Sequence, residues 1–215
     1  MKKLLMLLVG LISWACNSPK PPNALTLPYY HTADFTPHWL TQSTKLDTLH
    51  TLSAFALLNQ NGTAVTEKTF EGKIHVANFF FTICPGLCPR LTKSMQEIQE
   101  VFQNNPDVLL ASYSVTPDRD SVSVLRQYAT THKVQDNKWH LLTGDKKTIY
   151  QTARNSYFAD ENIGTKLDEN DFLHTENFIL VDKNLHIRGI YNGTLQLDIQ
   201  QLIADIKLLQ QEEAN

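Results

Sequence analysis

The chain has 215 residues, 42% hydrophobic and 19% charged, with a net charge of −3. That balance supports a packed core and excludes wholesale disorder. The mild acidity leaves no electrostatic footprint for nucleic acid and no polybasic patch for anionic lipid.

The first fifteen residues read as an export signal. "MKK" is a short positive segment, and "LLMLLVGLI" is an apolar run too short to span a bilayer. "SWAC" then places Cys16 behind a small Ala15, as at a bacterial lipoprotein cleavage site, where the thiol receives lipid. An ordinary signal peptide cut near Ala15 would instead leave Cys16 as a free thiol, a liability in an oxidising compartment. Losing Lys2 and Lys3 with the signal takes the net charge from −3 to −5. Residues 16–45 contain Pro19, Pro21, Pro22, Pro28 and Pro37 without helical or strand periodicity, and are expected to act as an extended membrane tether.

A globular domain is expected over 46–215. "FALLNQNGTAV" predicts two strands joined at Asn61-Gly62, an N-terminal β-hairpin. "KIHVANFFFT" and "DVLLASYSV" are continuous apolar runs, the signature of strands buried on both faces. Between them, Leu91, Met95, Ile98 and Phe102 form one helical stripe, with Pro89 suited to the first turn. "DSVSVLRQYATTH" predicts a helix opened by Asp120 or Ser121. "WHLLTG" predicts a strand and "DKKTIYQTARNSY" a third helix. "ENFILVD" and "LHIRGIY" predict a hairpin across Lys183-Asn184, and "LDIQQLIADIKLLQ" a closing helix. Alternating strands and helices predict a mixed, mainly parallel sheet flanked by helices, an α/β arrangement of thioredoxin-like type.

"FFFTICPGLCPRL" places Cys84 just beyond a buried strand and Cys88 near a helix start. Amide groups and the dipole at a helix N-terminus favour a thiolate. Three readings are open. The thiols could form a reversible disulfide, with Cys84 attacking and Cys88 resolving, although three intervening residues exceed the usual C-x-x-C spacing. They could hold a soft metal such as copper(I), which needs few ligands and favours thiolates. They could form a structural disulfide, which would add little stability across so short a loop.

Of eight histidines, three lie in or near the tether. His75 is expected at a sheet edge or satisfied by a partner, His132 and His140 at the surface, and His186 facing solvent. His174 stands immediately before a strand, after a polar loop, where a thioredoxin-like sheet would bring it toward the cysteines.

Together these segments resemble the Sco/SenC family. "NFFFTICPGLCP" is similar to its C-x-x-x-C-P motif, and "SVTPDRDSVSVLRQYA", "WHLLTG", "FLHTENFILVD" and "GIYNG" follow in its order, over roughly residues 50–210. The resemblance implies a thioredoxin-like domain that binds one copper ion, Cu(I) or Cu(II), through Cys84, Cys88 and His174. It further implies copper supply to the copper-binding subunit of cytochrome c oxidase, or reduction of that subunit's cysteines. A bacterial lipoprotein form would hold the domain on the extracytoplasmic side of a membrane by lipid at Cys16. The sequence departs from the family at Gly86, Thr116 and Leu173, where acidic residues are common. A peroxidase of related fold is the weaker alternative, because Thr82 stands two residues before Cys84 rather than three.

Overall fold

In a computed structural model, residues 26–40, 48–84, 86–159 and 175–212 are described; Cys16 and His174 lie outside them. Seven strands and four helices follow in chain order: β1 (Ala56–Asn59), β2 (Ala64–Thr66), β3 (Ile74–Phe80), α1 (Cys88–Val101), β4 (Val108–Ser114), α2 (Val122–Thr131), β5 (Trp139–Thr143), α3 (Lys146–Gln151), β6 (Asn177–Val181), β7 (Ile187–Asn192) and α4 (Gln196–Glu212). They form a thioredoxin-like α/β fold around one sheet of order β2-β1-β5-β4-β3-β6-β7.

The sheet is mixed, but it is not mainly parallel. Only β3–β4 and β4–β5 pair in parallel, while the other four ladders are antiparallel. Each flank of the parallel centre is a hairpin whose short turn can join only antiparallel strands, and each hairpin also lies antiparallel to the central strand beside it, β1 to β5 and β6 to β3. Gly62, at φ 72°, supplies the left-handed position in the β1–β2 turn.

Alternation along the strands divides the core into two layers. Ile74, Val76 and Phe80 of β3 pack with Leu91, Met95 and Ile98 of α1, Leu125 of α2 and Ile199, Leu202 and Ile206 of α4. Ala77 and Phe79 point to the other face, with Tyr113, Ile149 of α3, and Tyr157. Pro89 lies in the first turn of α1, and Ser121 caps α2 by accepting from the Val124 amide at 3.4 Å. The third helix is shorter than its sequence pattern: α3 ends at Gln151 and passes into a π-turn over Thr152–Ser156.

Part of the expected tether is docked on this core. Tyr29 pairs with His38 and Tyr30 with Ile187, so residues 26–40 form a small hairpin against β7. Arg188 fastens it, donating through Nη2 to the Leu27 carbonyl (2.8 Å) and through Nε to the Pro28 carbonyl (3.1 Å). One histidine expectation is corrected here. His186 is buried rather than solvent-facing, because its ring packs edge-on against Tyr29 of the docked hairpin, 5.5 Å between centroids. For His75 the partnered alternative holds: it is fully buried between β4 and β6 rather than at an edge. Its Nε2 meets the Tyr157 hydroxyl at 3.1 Å, while Nδ1 has no partner among the described residues.

The three parallel strands end at one pole. Because β6 runs opposite to β3, the residues entering β6 arrive at that same pole, and so does Asn192, which pairs with Asn177 at the end of β7.

Candidate metal centre

The cysteine loop leaves β3 at Phe80 and becomes helix at Cys88. Leu87, the N-cap of α1, has no side chain that can cap the helix. The Cys84 sulfur takes that place: the Cys88 amide donates to Sγ at 3.5 Å. A sulfur that accepts helix-start amides is held as an anion would be. Cys84 is half-buried and Cys88 is buried, and both are free thiols.

Their acidities diverge. Burial pushes Cys84 up, but hydrogen bonds from the amides of Cys88, Gly86 and Leu87 and from the Cys88 thiol outweigh it, holding the thiol below its ordinary value. Burial pushes Cys88 up to about 12, and the neighbouring charges of Cys84 and Asp120 add to the rise. Cys84 is therefore the thiolate that forms first, and Cys88 gives up its proton only to something that rewards it, such as a bound metal.

Asp120 holds the loop in place. It is fully buried, and its carboxylate accepts from Thr82 Oγ1 (2.5 Å), the Thr82 amide (3.2 Å), Ser114 Oγ (2.6 Å) and Thr116 Oγ1 (3.1 Å). Four donors replace the hydration the carboxylate has lost, and they tie the cysteine loop to the end of β4. Sequence reasoning read Asp120 only as a possible helix cap. Ser121 does the capping, and two capping residues in succession were the available signal that one of them serves elsewhere.

Beside the thiols lies a cleft of about 150 Å³ lined by Phe79, Phe80, Phe81, Cys84, Leu87, Cys88, Leu91, Val115 and Thr175. Among the described residues, no charged side chain lines it. Thr175 belongs to the segment entering β6, so chain from two distant regions converges on the sulfurs. His174 itself lies outside the described residues, as does Cys16. Among the described residues, no three His, Cys, Asp or Glu side chains stand together as a metal site. No helix among them is long and apolar enough to cross a membrane.

Two soft sulfurs, one readily ionised, in an apolar cleft can bind a soft cation or exchange with a disulfide. The donor set does not suit a structural zinc ion, which would need four ligands.

Comparison with known proteins places the chain in a family. The SCO1/SenC family model matches residues 43–211. A SCO1/SenC family lipoprotein from Bacillus anthracis is 28% identical, with a TM-score of 0.64 over 74% of this chain and 95% of its own. BsSco, a Sco-family cytochrome c oxidase assembly protein with a disulfide switch, is 27% identical, with a TM-score of 0.63 over 78% of this chain and 98% of its own. Copper-bound ScoI from Arabidopsis thaliana is 28% identical, with a TM-score of 0.57 over 74% and 98%. With the family model spanning most of the chain and the paired cysteines at the expected strand–helix junction, this protein belongs to the SCO1/SenC family.

Proposed function

We propose that the chain is a membrane-anchored, extracytoplasmic copper carrier that supports assembly of the copper centre of cytochrome c oxidase. Copper is its cargo. In this reading residues 1–15 are a signal peptide, Cys16 carries lipid, the following residues tether the domain, and Cys84, Cys88 and His174 hold one copper ion. The observation that carries it is the cleft, apolar among the described residues, that both thiols line together with Thr175, the residue next to His174. The copper-bound Arabidopsis relative and the Bacillus anthracis lipoprotein support the cargo and the anchor. Release to a client would proceed by ligand exchange, the client's donors displacing Cys84 first because it is the more exposed sulfur.

Anaerobic copper(I) titration of the reduced protein tests this. One copper per chain is expected, lost in Cys84→Ser and weakened at least tenfold in His174→Ala. Equal affinity of wild type and His174→Ala would remove His174 from the site.

The unequal thiols, together with the disulfide switch of BsSco, favour one further reading. Cys84 thiolate attacks a client disulfide and one client thiolate leaves. Cys88, deprotonated, then attacks the Cys84 sulfur and the second client thiolate leaves, so the client gains two electrons and the chain ends as a Cys84–Cys88 disulfide. Here both cysteines matter and His174→Ala leaves the exchange rate unchanged.

A further inference from the structure

The docked N-terminal hairpin carries two histidines on one face. Tyr29 and His38 oppose each other across a two-hydrogen-bond bridge, amide to carbonyl, at 2.7 and 2.9 Å. Opposed residues of an antiparallel pair point to the same side, and so does the residue two further along, which is His31. Their rings face each other with centroids 4.2 Å apart and planes tilted by 46°. Two imidazoles this close can turn a nitrogen each toward one ion, since metal–nitrogen bonds of about 2.0–2.1 Å bring two ligand nitrogens to within about 3 Å.

The frame that presents them is fixed. Phe35, at φ 54°, closes a turn by donating its amide to the Thr32 carbonyl at 3.1 Å. Asp34 braces the same turn, accepting from Thr32 Oγ1 (2.6 Å) and the Thr36 amide (3.1 Å). The Tyr30 amide bonds the Ile187 carbonyl at 3.0 Å, and the Arg188 guanidinium covers the Tyr29 ring at 4.0 Å. The two rings are thus held on the core, and the entropy of gathering ligands is largely spent before an ion arrives. His38 is exposed and His31 half-exposed, so the face is open to solvent.

We propose that His31 and His38 form a second metal site, taking one divalent first-row transition ion on two imidazole nitrogens. Imidazole suits copper, nickel and zinc, and copper(II) binds such donors most tightly of the three. With no third His, Cys, Asp or Glu grouped with them among the described residues, water completes the coordination. The site is therefore exchangeable, unlike a thiolate cage. It is also separate from the thiol cleft. It adjoins Ile187 at the start of β7, while the cysteine pole adjoins Asn192 at its end, about 17 Å along the strand.

The test uses the full chain with Cys84→Ser and Cys88→Ser, which removes the thiol donors and leaves the hairpin intact. Copper(II) is titrated and followed by electron paramagnetic resonance. One equivalent with coupling to two nitrogens is expected. His31→Ala and His38→Ala, each added separately, should weaken binding at least tenfold while thermal unfolding stays unchanged. Absence of binding in the doubly substituted chain, or binding that neither histidine substitution weakens, overturns the proposal. Because Cys84 and Cys88 are replaced, failure here leaves the copper(I) result at the thiol cleft untouched.

Discussion

At the cysteine pole no charged side chain among the described residues lines the cleft, and the Cys84 sulfur is held by helix-start amides and the Cys88 thiol. At the opposite pole charge is buried and paired: Arg188 meets Asp182 at 3.2 Å and Glu212 at 2.7 Å, with two carbonyls and the Tyr29 ring beside it. One end of the sheet spends its polar groups on itself, and the other keeps its reactive groups unsatisfied. The difference teaches where this fold is structural and where it is chemical. A buried ion cluster whose charges are paired with one another has little left to bind, whereas sulfurs in an apolar cleft retain lone pairs for a cation.

The largest effect that would break this contrast is at Arg188. Replacing it with Met leaves Asp182 and Glu212 without their cation, and destabilisation of about 3–5 kcal/mol is expected in urea unfolding. A loss below about 1 kcal/mol would show that the charged cluster is not what fastens the hairpin to β7 and α4.

Next in size is Asp120→Asn. An amide offers one oxygen where the carboxylate offers two, so some of the four donors lose their acceptor. A cost of about 2–3 kcal/mol follows. Hydrogen exchange of the Thr82–Cys88 amides should accelerate, while that of β7 should not. Unchanged exchange at Thr82 would mean that another contact orders the cysteine loop.

Acid sharpens the comparison from the far side. Burial lowers His75 to about 3. Between pH 6.5 and about 3 the unfolded chain binds a proton that the folded one refuses. The contribution of His75 is therefore complete above pH 6.5 and falls on acidification, by up to about 1.4 kcal/mol per pH unit. His75→Gln should flatten the stability–pH curve across that window, and a slope identical to wild type would count against a neutral buried imidazole.

The smallest effect belongs to Ile83, which is 67% exposed beside Cys84. Ile83→Ser should change folding stability by no more than about 0.5 kcal/mol. A clearly larger loss in thermal unfolding would show packing against the cysteine loop that its exposure denies.

Much of this fold was legible in the chain because its signals are local. Pro89 and Ser121 mark helix starts by backbone chemistry, the Leu91–Phe102 stripe marks a buried helix face, and the apolar runs mark the central strands. The cysteines were legible for the same reason, since strand end, spacing and helix start are all read within a dozen residues. What escaped was tertiary. Nothing near His186 announces that Tyr29 will cover it, and nothing near Asp120 announces Thr82, 38 residues away. The balance of parallel and antiparallel ladders escaped likewise, because it depends on which strands the two hairpins sit beside.

The Asp120 clamp also has a consequence in time. A polypeptide made from its N-terminus exposes Cys84 and Cys88 well before Asp120 exists, so for that interval the Thr82 hydroxyl has no carboxylate to hold it. The young chain carries two nucleophilic sulfurs on an unshaped loop, open to pairing with any thiol or stray ion nearby. Each newly made molecule thus passes through a vulnerable period that its own later residues bring to an end.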